Sequence, residues 1–371
     1  MRHSKSTKKK VALVYDRVNK WGGAERVLLT LHEMFPDAPL YTSVYDEKEA
    51  IWAKVFPKII TSFIQKIPFA KSNHEFLASL MPLAFESFDF SDFDLVISVT
   101  SEAAKGIKTR FGTLHICYCL TPTRYLWSHE DQYFKGQAFK VFTKPITSYL
   151  KKWDKKASKR PDVMIAISTE VQKRIKKYYK RRSEIVFPPV NATVLRKQSL
   201  ASQSPGSTVA KDRKFYLIVS RLVGYKKVDL AIDVFNKLGL PLIIVGTGRE
   251  EKRLKSKSKN NIKFVGQVSE KELVKHYQNA KALIMPQEED FGIVSVEAQA
   301  VGTPVIAFRK GGATDTVIDG KTGVLFDKQN VASLTRAIAK FKKMVFNHKY
   351  LVKNAKKFSK AAFKKEFLKH I

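Results

Sequence analysis

Short apolar runs alternate with helix-period patterns along most of the chain. Residues 11–15 (VALVY) form a β-rich apolar run of the kind that becomes a buried parallel strand. The loop 16–21 follows, then Gly22-Gly23-Ala24-Glu25-Arg26, which opens a helical pattern at Val27, Leu28, Leu31, Met34 and Phe35. Strand, glycine turn and helix together begin a βαβ unit. Further strand-like runs lie at 94–98 (DLVIS), 114–118 (LHICY) and 163–167 (VMIAI). Ser168 is placed to cap a helix carrying Val171, Ile175, Tyr178 and Tyr179.

The pattern breaks after Pro188-Pro189. Residues 191–212 are rich in Ser, Thr, Ala and Gln, and read as a linker. The alternation then restarts, with strands expected at 215–219, 242–245, 262–265, 282–285 and 305–307, and helices at about 228–238, 271–279 and 294–301. From about Val331 the chain reads as lysine-dense helices. The expected organisation is a basic tail (1–10), an α/β domain (11–190), the linker (191–212), a second α/β domain (213–345) and a basic helical segment (346–371). Parallel strands need both faces covered and present ligands at their carboxyl ends. Two such sheets facing each other would form a cleft.

A length of 371 residues fits two domains at roughly 150 residues each, and 44% hydrophobic residues can fill two cores. Charge changes the picture more. There are 68 Lys and Arg against 34 Asp and Glu, a net +34, which points to polyanionic partners: nucleic acid, anionic lipid or phosphorylated small molecules. Cys117 and Cys119 lie two positions apart in one strand-like run, where the extended backbone leaves them poorly placed to bond each other, so they are expected to be small buried residues and not a disulfide. No apolar run reaches the roughly 18 residues of a membrane span, and the basic start lacks the apolar stretch of a signal peptide. A cytoplasmic protein is expected, with any membrane contact peripheral.

Two segments carry candidate chemistry. In 286–298 (PQEEDFGIVSVEA), Glu289 sits in a loop after a strand and Glu297 one turn into the next helix. Gly292 lets a ligand approach the helix N-terminus, where free N–H groups favour phosphate, and a carboxylate there can accept sugar hydroxyls. Gly302-Thr303-Pro304 leads into the strand-like run 305–307, the glycine turn Gly311-Gly312 follows it at the same sheet edge, and Gly320 and Gly323 are expected to mark a hairpin-like turn. In 220–229 (SRLVGYKKVD), Arg221 and Lys226 lie five apart after a strand, a fork and a point charge able to converge on one diphosphate.

VSRLVGYKKVDLAI, LIIVGTGREEKRL and FVGQVSEKELVKHYQNAKALIMPQEEDFGIVSVEAQAVGTPVIA strongly resemble the C-terminal half of glycosyltransferase family 4, retaining nucleotide-sugar-dependent enzymes of the GT-B fold, which is two Rossmann-like domains. GGAER and HICYCLTPTRYLW look like the N-terminal half of the same family, particularly bacterial mannosyltransferase-like members of polysaccharide and O-antigen assembly. The resemblance covers roughly residues 11–330 and is more specific in the C-terminal half. It implies that Arg221 and Lys226 neutralise the donor diphosphate, that Glu289 binds donor-sugar hydroxyls, and that Phe291, Gly292 and Ile293 offer backbone N–H groups. It implies further that Glu297 holds the ribose, that Gly22, Gly23 and Arg124 lie on the N-terminal side near diphosphate and acceptor, and that Gly246 and Gly248 lie on the nucleotide side.

The implied reaction is retaining hexosyl transfer, mannose favoured, to a glycan or polyprenyl-linked acceptor. No metal or other cofactor is expected, because Arg, Lys and a helix terminus supply positive charge and no D-x-D pattern sits in a suitable loop. The resemblance departs at Leu120, where close relatives often carry a His near the donor sugar. That departure bears on donor preference and rate, and it motivates the alternative of an inactive sugar-nucleotide-binding homologue. His115 and His129 do not match the motif position and read as structural. A nucleic-acid binder would leave the glycine and glutamate pattern idle and shows no binding motif, so no nucleic-acid partner is expected. The segment 139–156 interleaves Phe139, Val141, Phe142, Ile146, Tyr149, Leu150 and Trp153 with lysines. It suits either an anionic membrane surface or a helix packing its apolar stripe inward.

Overall fold

The computed structural model describes residues 9–71, 74–128, 137–191 and 213–371; nearly all of the expected tail and linker lie outside these. The chain divides into two compact units, Met1–Phe187 with Lys364–Ile371, and Pro188–Phe363. Each is built on its own parallel sheet.

The N-terminal unit contains β1 (Val11–Tyr15), β2 (Leu40–Thr42), β3 (Ile59–Thr61), β4 (Leu95–Thr100), β5 (Leu114–Cys119), β6 (Val163–Ala166) and β7 (Glu184–Ile185), in the order β3-β2-β1-β4-β5-β6-β7. Its helices include α1 (Gly23–Met34), α2 (Gln137–Ala157) and α3 (Thr169–Tyr179). Ser168 caps α3, accepting a hydrogen bond from the Val171 N–H. β4 and β5 are buried along nearly their whole length, as strands covered on both faces must be. Cys117 and Cys119 are free, buried neighbours on β5. Ala12, Val14, Phe85, Phe90, Val96 and Ile107 belong to the core on one side of this sheet.

Along α2 the lysine-aromatic segment splits. Leu150 is buried, and Trp153 turns inward to donate its indole N–H to Glu86 at 2.6 Å. Ile146 and Tyr149 stay about half exposed beside Lys144, Lys152 and Lys156. The side chains of Phe139, Val141 and Phe142 lie outside the described residues. Lys364–Ile371 pack within this unit: Phe367 is fully buried with its ring 6.3 Å from that of Tyr118, and Lys364 pairs with Glu33 at 2.9 Å.

The C-terminal unit contains β8 (Phe215–Val219), β9 (Leu242–Val245), β10 (Ile262–Gly266), β11 (Ala280–Met285), β12 (Val305–Phe308) and β13 (Gly323–Phe326), in the order β10-β9-β8-β11-β12-β13. Its helices include α4 (Val228–Leu238), α5 (Glu270–Asn279), α6 (Ile293–Ala300), α7 (Val331–Lys342) and α8 (His348–Lys356). Tyr216, Phe235, Ile244, Leu334 and Phe341 lie in one core cluster between sheet and helices. The hairpin-like turn expected at Gly320–Gly323 needs correction. Gly320 does turn with a positive φ of 78°, but Gly323 then starts an edge strand parallel to β12 and fully buried. Residues 346–371, expected as one appended segment, divide: α8 packs on α6 in the C-terminal unit, while the last eight residues belong to the other unit.

Candidate active site

In the C-terminal sheet the chain runs outward from β8 to β10, returns, and runs out the other way from β11 to β13. The switch point lies between β8 and β11. Ligands of open α/β sheets bind at such points, beyond the carboxyl ends of the strands. The loops leaving these two strands carry Arg221 and Lys226 on one side and Glu289 on the other.

Lys226, in the one-turn helix Gly224–Lys226, forms an ion pair with Glu289 Oε1. Gln287 donates its side-chain N–H to the same oxygen at 2.9 Å. Both donors fall on Oε1, so Oε2 remains available as an acceptor. The pair is mostly covered, with side-chain exposures of 12% and 17%. Arg221 is exposed and donates to the Tyr225 hydroxyl at 2.6 Å, while Lys226 Nζ stands 5.2 Å from the centre of that ring. Tyr225, which the sequence pattern did not single out, thus organises both cations.

The glycines hold these loops together. A Cβ on Gly246 would meet the Ser220 carbonyl oxygen at 2.0 Å, and one on Gly248 the Leu222 carbonyl oxygen at 2.3 Å. Only glycine lets the loop after β9 lie this close to the Arg221 loop. The contact is stitched by the N–H groups of Ser220, Leu222 and Glu250, donating to Val245, Thr247 and Leu222 at 2.9–3.0 Å. Gly311 and Gly312 do the same for the Glu289 loop, and the Gly312 N–H donates to the Glu289 carbonyl at 2.8 Å.

Gly292, with φ 85°, precedes α6, and the first N–H groups of a helix have no intrahelical partner. Ile293 is the first helical residue, and Phe291 anchors the turn by packing its ring 5.5 Å from Phe358. Glu297 lies a turn further on, buried, and accepts a hydrogen bond from the Tyr277 hydroxyl at 2.8 Å. Glu289 and Glu297 therefore sit in separate networks. Deeper still, Ser295 donates to the Thr316 hydroxyl at 2.6 Å, and Asn354 of α8 donates to the Gln299 side chain at 2.8 Å and to the Thr316 carbonyl at 2.9 Å. These bonds lock α6 in place.

The N-terminal sheet has its own switch point, between β1 and β4. Gly22 caps α1 in an extended conformation and Gly23 is its first residue. Glu25 is buried beneath them and accepts the Tyr15 hydroxyl at 2.8 Å; burial raises both pKa values. Asp16 is buried and accepts the Thr100 hydroxyl and the N–H groups of Ser101, Glu102, Ala103 and Ala104 at 2.7–3.0 Å. Arg17 forks onto Glu102 at 2.6 and 2.7 Å. Lys105 pairs with Asp154 at 2.5 Å with both side chains buried; burial opposes its charge, but Asp154 holds its pKa above the ordinary lysine value. Asp154 also accepts Thr123, Trp127 and Tyr179 at 2.7–3.0 Å. Pattern reading gave no role to Asp16, Arg17, Glu102, Lys105 or Asp154, and carried Glu25 only as part of the glycine motif.

Arg124 starts the short helix Arg124–Trp127 and is half-buried. Leu120 follows β5, with its N–H on the Thr100 carbonyl at 2.8 Å. His115 is buried near the opposite, amino end of β5, with Nε2 2.9 Å from the Ser98 hydroxyl; burial, then Arg181 and Arg160, push its pKa down to about 3. His129 lies outside the described residues. Among the described residues, no group of three or more His, Cys, Asp or Glu is placed to hold a metal ion.

Residues 202–358 match the family described as Glycosyl transferases group 1. An uncharacterized glycosyltransferase of Methanocaldococcus jannaschii is 30% identical over 56% of this chain and 57% of its own length. A GDP-mannose-dependent α-(1-6)-phosphatidylinositol monomannoside mannosyltransferase of Mycolicibacterium smegmatis is 34% identical over 34% of this chain and 38% of its own. The chain thus matches little more than half the length of the first of these relatives. Anabaena HepE, solved in complex with UDP, superposes with a TM-score of 0.69 at 18% identity over 97% of this chain and 98% of its own. The fold is GT-B.

Proposed function

We propose that the protein is a retaining glycosyltransferase that moves a hexose, mannose favoured, from a nucleotide sugar to a glycan or lipid-linked acceptor. The observation that carries this reading is the Lys226–Glu289 pair across a sheet switch point, within the residues that match the glycosyl transferase family. The mannosyltransferase relative supports mannose, and the UDP-bound neighbour supports a nucleotide-linked donor.

Arg221, Lys226 and the α6 N-terminus receive the donor diphosphate. Glu289 Oε2 accepts hydroxyls of the donor sugar, and Glu297 holds the ribose. Phe291, Gly292 and Ile293 bring backbone N–H groups to sugar and phosphate, while Gly22, Gly23 and Arg124 line the acceptor side. In front-face transfer, the bond from sugar C1 to the phosphate oxygen breaks as the bond to the acceptor oxygen forms on the same face. The acceptor proton passes to the leaving diphosphate. Stabilising charge on that diphosphate is the main catalytic contribution, and protein cations supply it without a metal. Leu120 leaves the donor-sugar side without an imidazole, so selectivity rests on Glu289 and its neighbours.

A thermal-shift screen of GDP-, UDP- and ADP-sugars tests the reading. One donor is expected to raise the melting temperature in wild type and to lose that effect in Arg221→Ala. No response to any donor would count against it.

We further propose peripheral association with an anionic membrane on the cytoplasmic side, supported by the half-exposed Ile146 and Tyr149 among exposed lysines of α2. No helix among the described residues is long and apolar enough to cross a membrane.

A further inference from the structure

Trp21 stands immediately before the glycine turn Gly22-Gly23, at the carboxyl edge of β1, with 53% of its surface exposed. A single exposed apolar residue needs no explanation by itself. This one has a built foundation. Its ring packs at 6.1 Å and 59° against Trp52, whose indole N–H donates to the Lys20 carbonyl at 2.8 Å. Trp52 in turn meets Phe56 edge-on at 6.3 Å, and Phe56, nearly buried, packs 4.8 Å from the His32 ring of α1. The loop carrying Trp21 is fixed as well. The Val18 N–H donates to Val44 at 2.9 Å, the Asp46 N–H to Val18 at 2.8 Å, and the Asn19 side chain to the Lys71 carbonyl at 2.8 Å.

A rigid, half-exposed indole beside polar backbone suits a ligand with one apolar face and a polar rim. A pyranose ring has that chemistry: its axial C–H groups lie on one face and carry partial positive charge toward the negative face of the aromatic ring. Its hydroxyls project sideways, where the glycine turn offers backbone groups. We propose that Trp21, braced by Trp52, is the platform on which a sugar ring of the acceptor stacks, which makes the acceptor a glycan, free or lipid-linked, presenting a hexopyranose next to the reacting hydroxyl. This rests on the glycosyl-transfer reading and specifies its acceptor. The short helix Ile51–Val55 that carries Trp52 exposes Ile51 and Val55, so a bilayer is the competing occupant that the test must separate.

The experiment is saturation-transfer NMR and titration of the full chain with a panel of methyl hexopyranosides and mannose, glucose and galactose disaccharides. Wild type, Trp21→Ala and Trp21→Phe are compared. At least one saccharide is expected to show saturation concentrated on the protons of one ring face. Its affinity should fall about 5- to 10-fold in Trp21→Ala and recover most of the loss in Trp21→Phe. Undiminished saccharide binding in Trp21→Ala overturns the inference. So does an absence of saccharide binding, including the case in which neutral phosphatidylcholine vesicles pellet the wild type but not Trp21→Ala. Thermal shift with nucleotide sugars, run on the same samples, keeps the two readings apart. A donor response with saccharide binding indifferent to Trp21 removes only the platform, whereas loss of any donor response in wild type removes the transfer reading.

Discussion

Each sheet brings charged side chains to its switch point, but the two sites spend those charges differently. In the N-terminal unit Asp16 is surrounded by five donors, Arg17 forks onto Glu102, and Asp154 takes Lys105 and three further donors. Asp16, Lys105 and Asp154 are buried, with their capacity met inside the unit, whereas the buried Arg17 Nε has no hydrogen-bond partner. In the C-terminal unit Arg221 is exposed, and the Glu289 carboxylate uses one oxygen for both of its donors. A charge whose hydrogen-bonding capacity is filled by its own chain is scaffold. A charge with capacity left over is available to a ligand.

That contrast can be broken most forcefully at Asp154. Replacing it with Ala leaves Lys105 buried without its counter-charge, a change expected to destabilise by about 3–5 kcal/mol. Chemical denaturation measures it, and a loss under about 1 kcal/mol would contradict a scaffold role. Glu289→Ala and Arg221→Ala should do the reverse. Transfer is expected to drop by about 10²–10³-fold while the protein stays folded, because both act on the donor outside the cores. Wild-type turnover in either variant removes the site assignment.

Protonation sharpens the comparison further. His115 in the N-terminal sheet has its pKa depressed to about 3, against an unfolded value near 6.5. Below pH 6.5 the unfolded chain binds this proton first, so stability falls as pH falls. The loss is about 2 kcal/mol between pH 6.5 and 5. His115→Gln should flatten that part of the profile, and an unchanged slope would show that other groups set it. On the exposed side, Lys152→Gln and Lys156→Gln should each weaken co-sedimentation with anionic vesicles by about 1 kcal/mol, with binding falling as salt rises. Equal pelleting with neutral vesicles would mean that these lysines only solvate the surface. The smallest expected effect is none: transfer should survive excess EDTA. Loss restored by magnesium or manganese would replace the protein-cation mechanism.

The sequence made the long buried elements legible. Val11–Tyr15 and Leu242–Val245 stand where the apolar pattern puts them, because a strand covered on both faces must be apolar throughout, and Val228–Leu238 stands where apolar residues recur at helical spacing. It did not reveal Leu40–Thr42, Ile59–Thr61 or Glu184–Ile185, which are too short for a period to register. Gly323–Phe326 was hidden by its own glycine turn, which reads as a hairpin although the strand it starts is parallel. Lys226 and Glu289 were suggested by motif, and the structure joins them. Tyr225, Gln287 and Tyr277 carry no motif, since their roles exist only across a loop or between helices. The Asp16 and Lys105–Asp154 networks join positions far apart in the chain, which no local pattern encodes.

The placement of Phe367 has a consequence for how the protein is made. During synthesis the seven strands of the first sheet leave the ribosome early, and N-terminal domains generally fold first. Here Tyr118 must wait for Phe367, and Glu33 for Lys364, which emerge only after the entire second sheet. Asn354, which fastens α6, is nearly as late. A nascent chain stalled anywhere before residue 354 therefore carries two unfinished units, with apolar surface on the first still uncovered. Ribosome-bound chains halted at 345 and released chains of full length should differ sharply in protease resistance, even though every strand is already present in both.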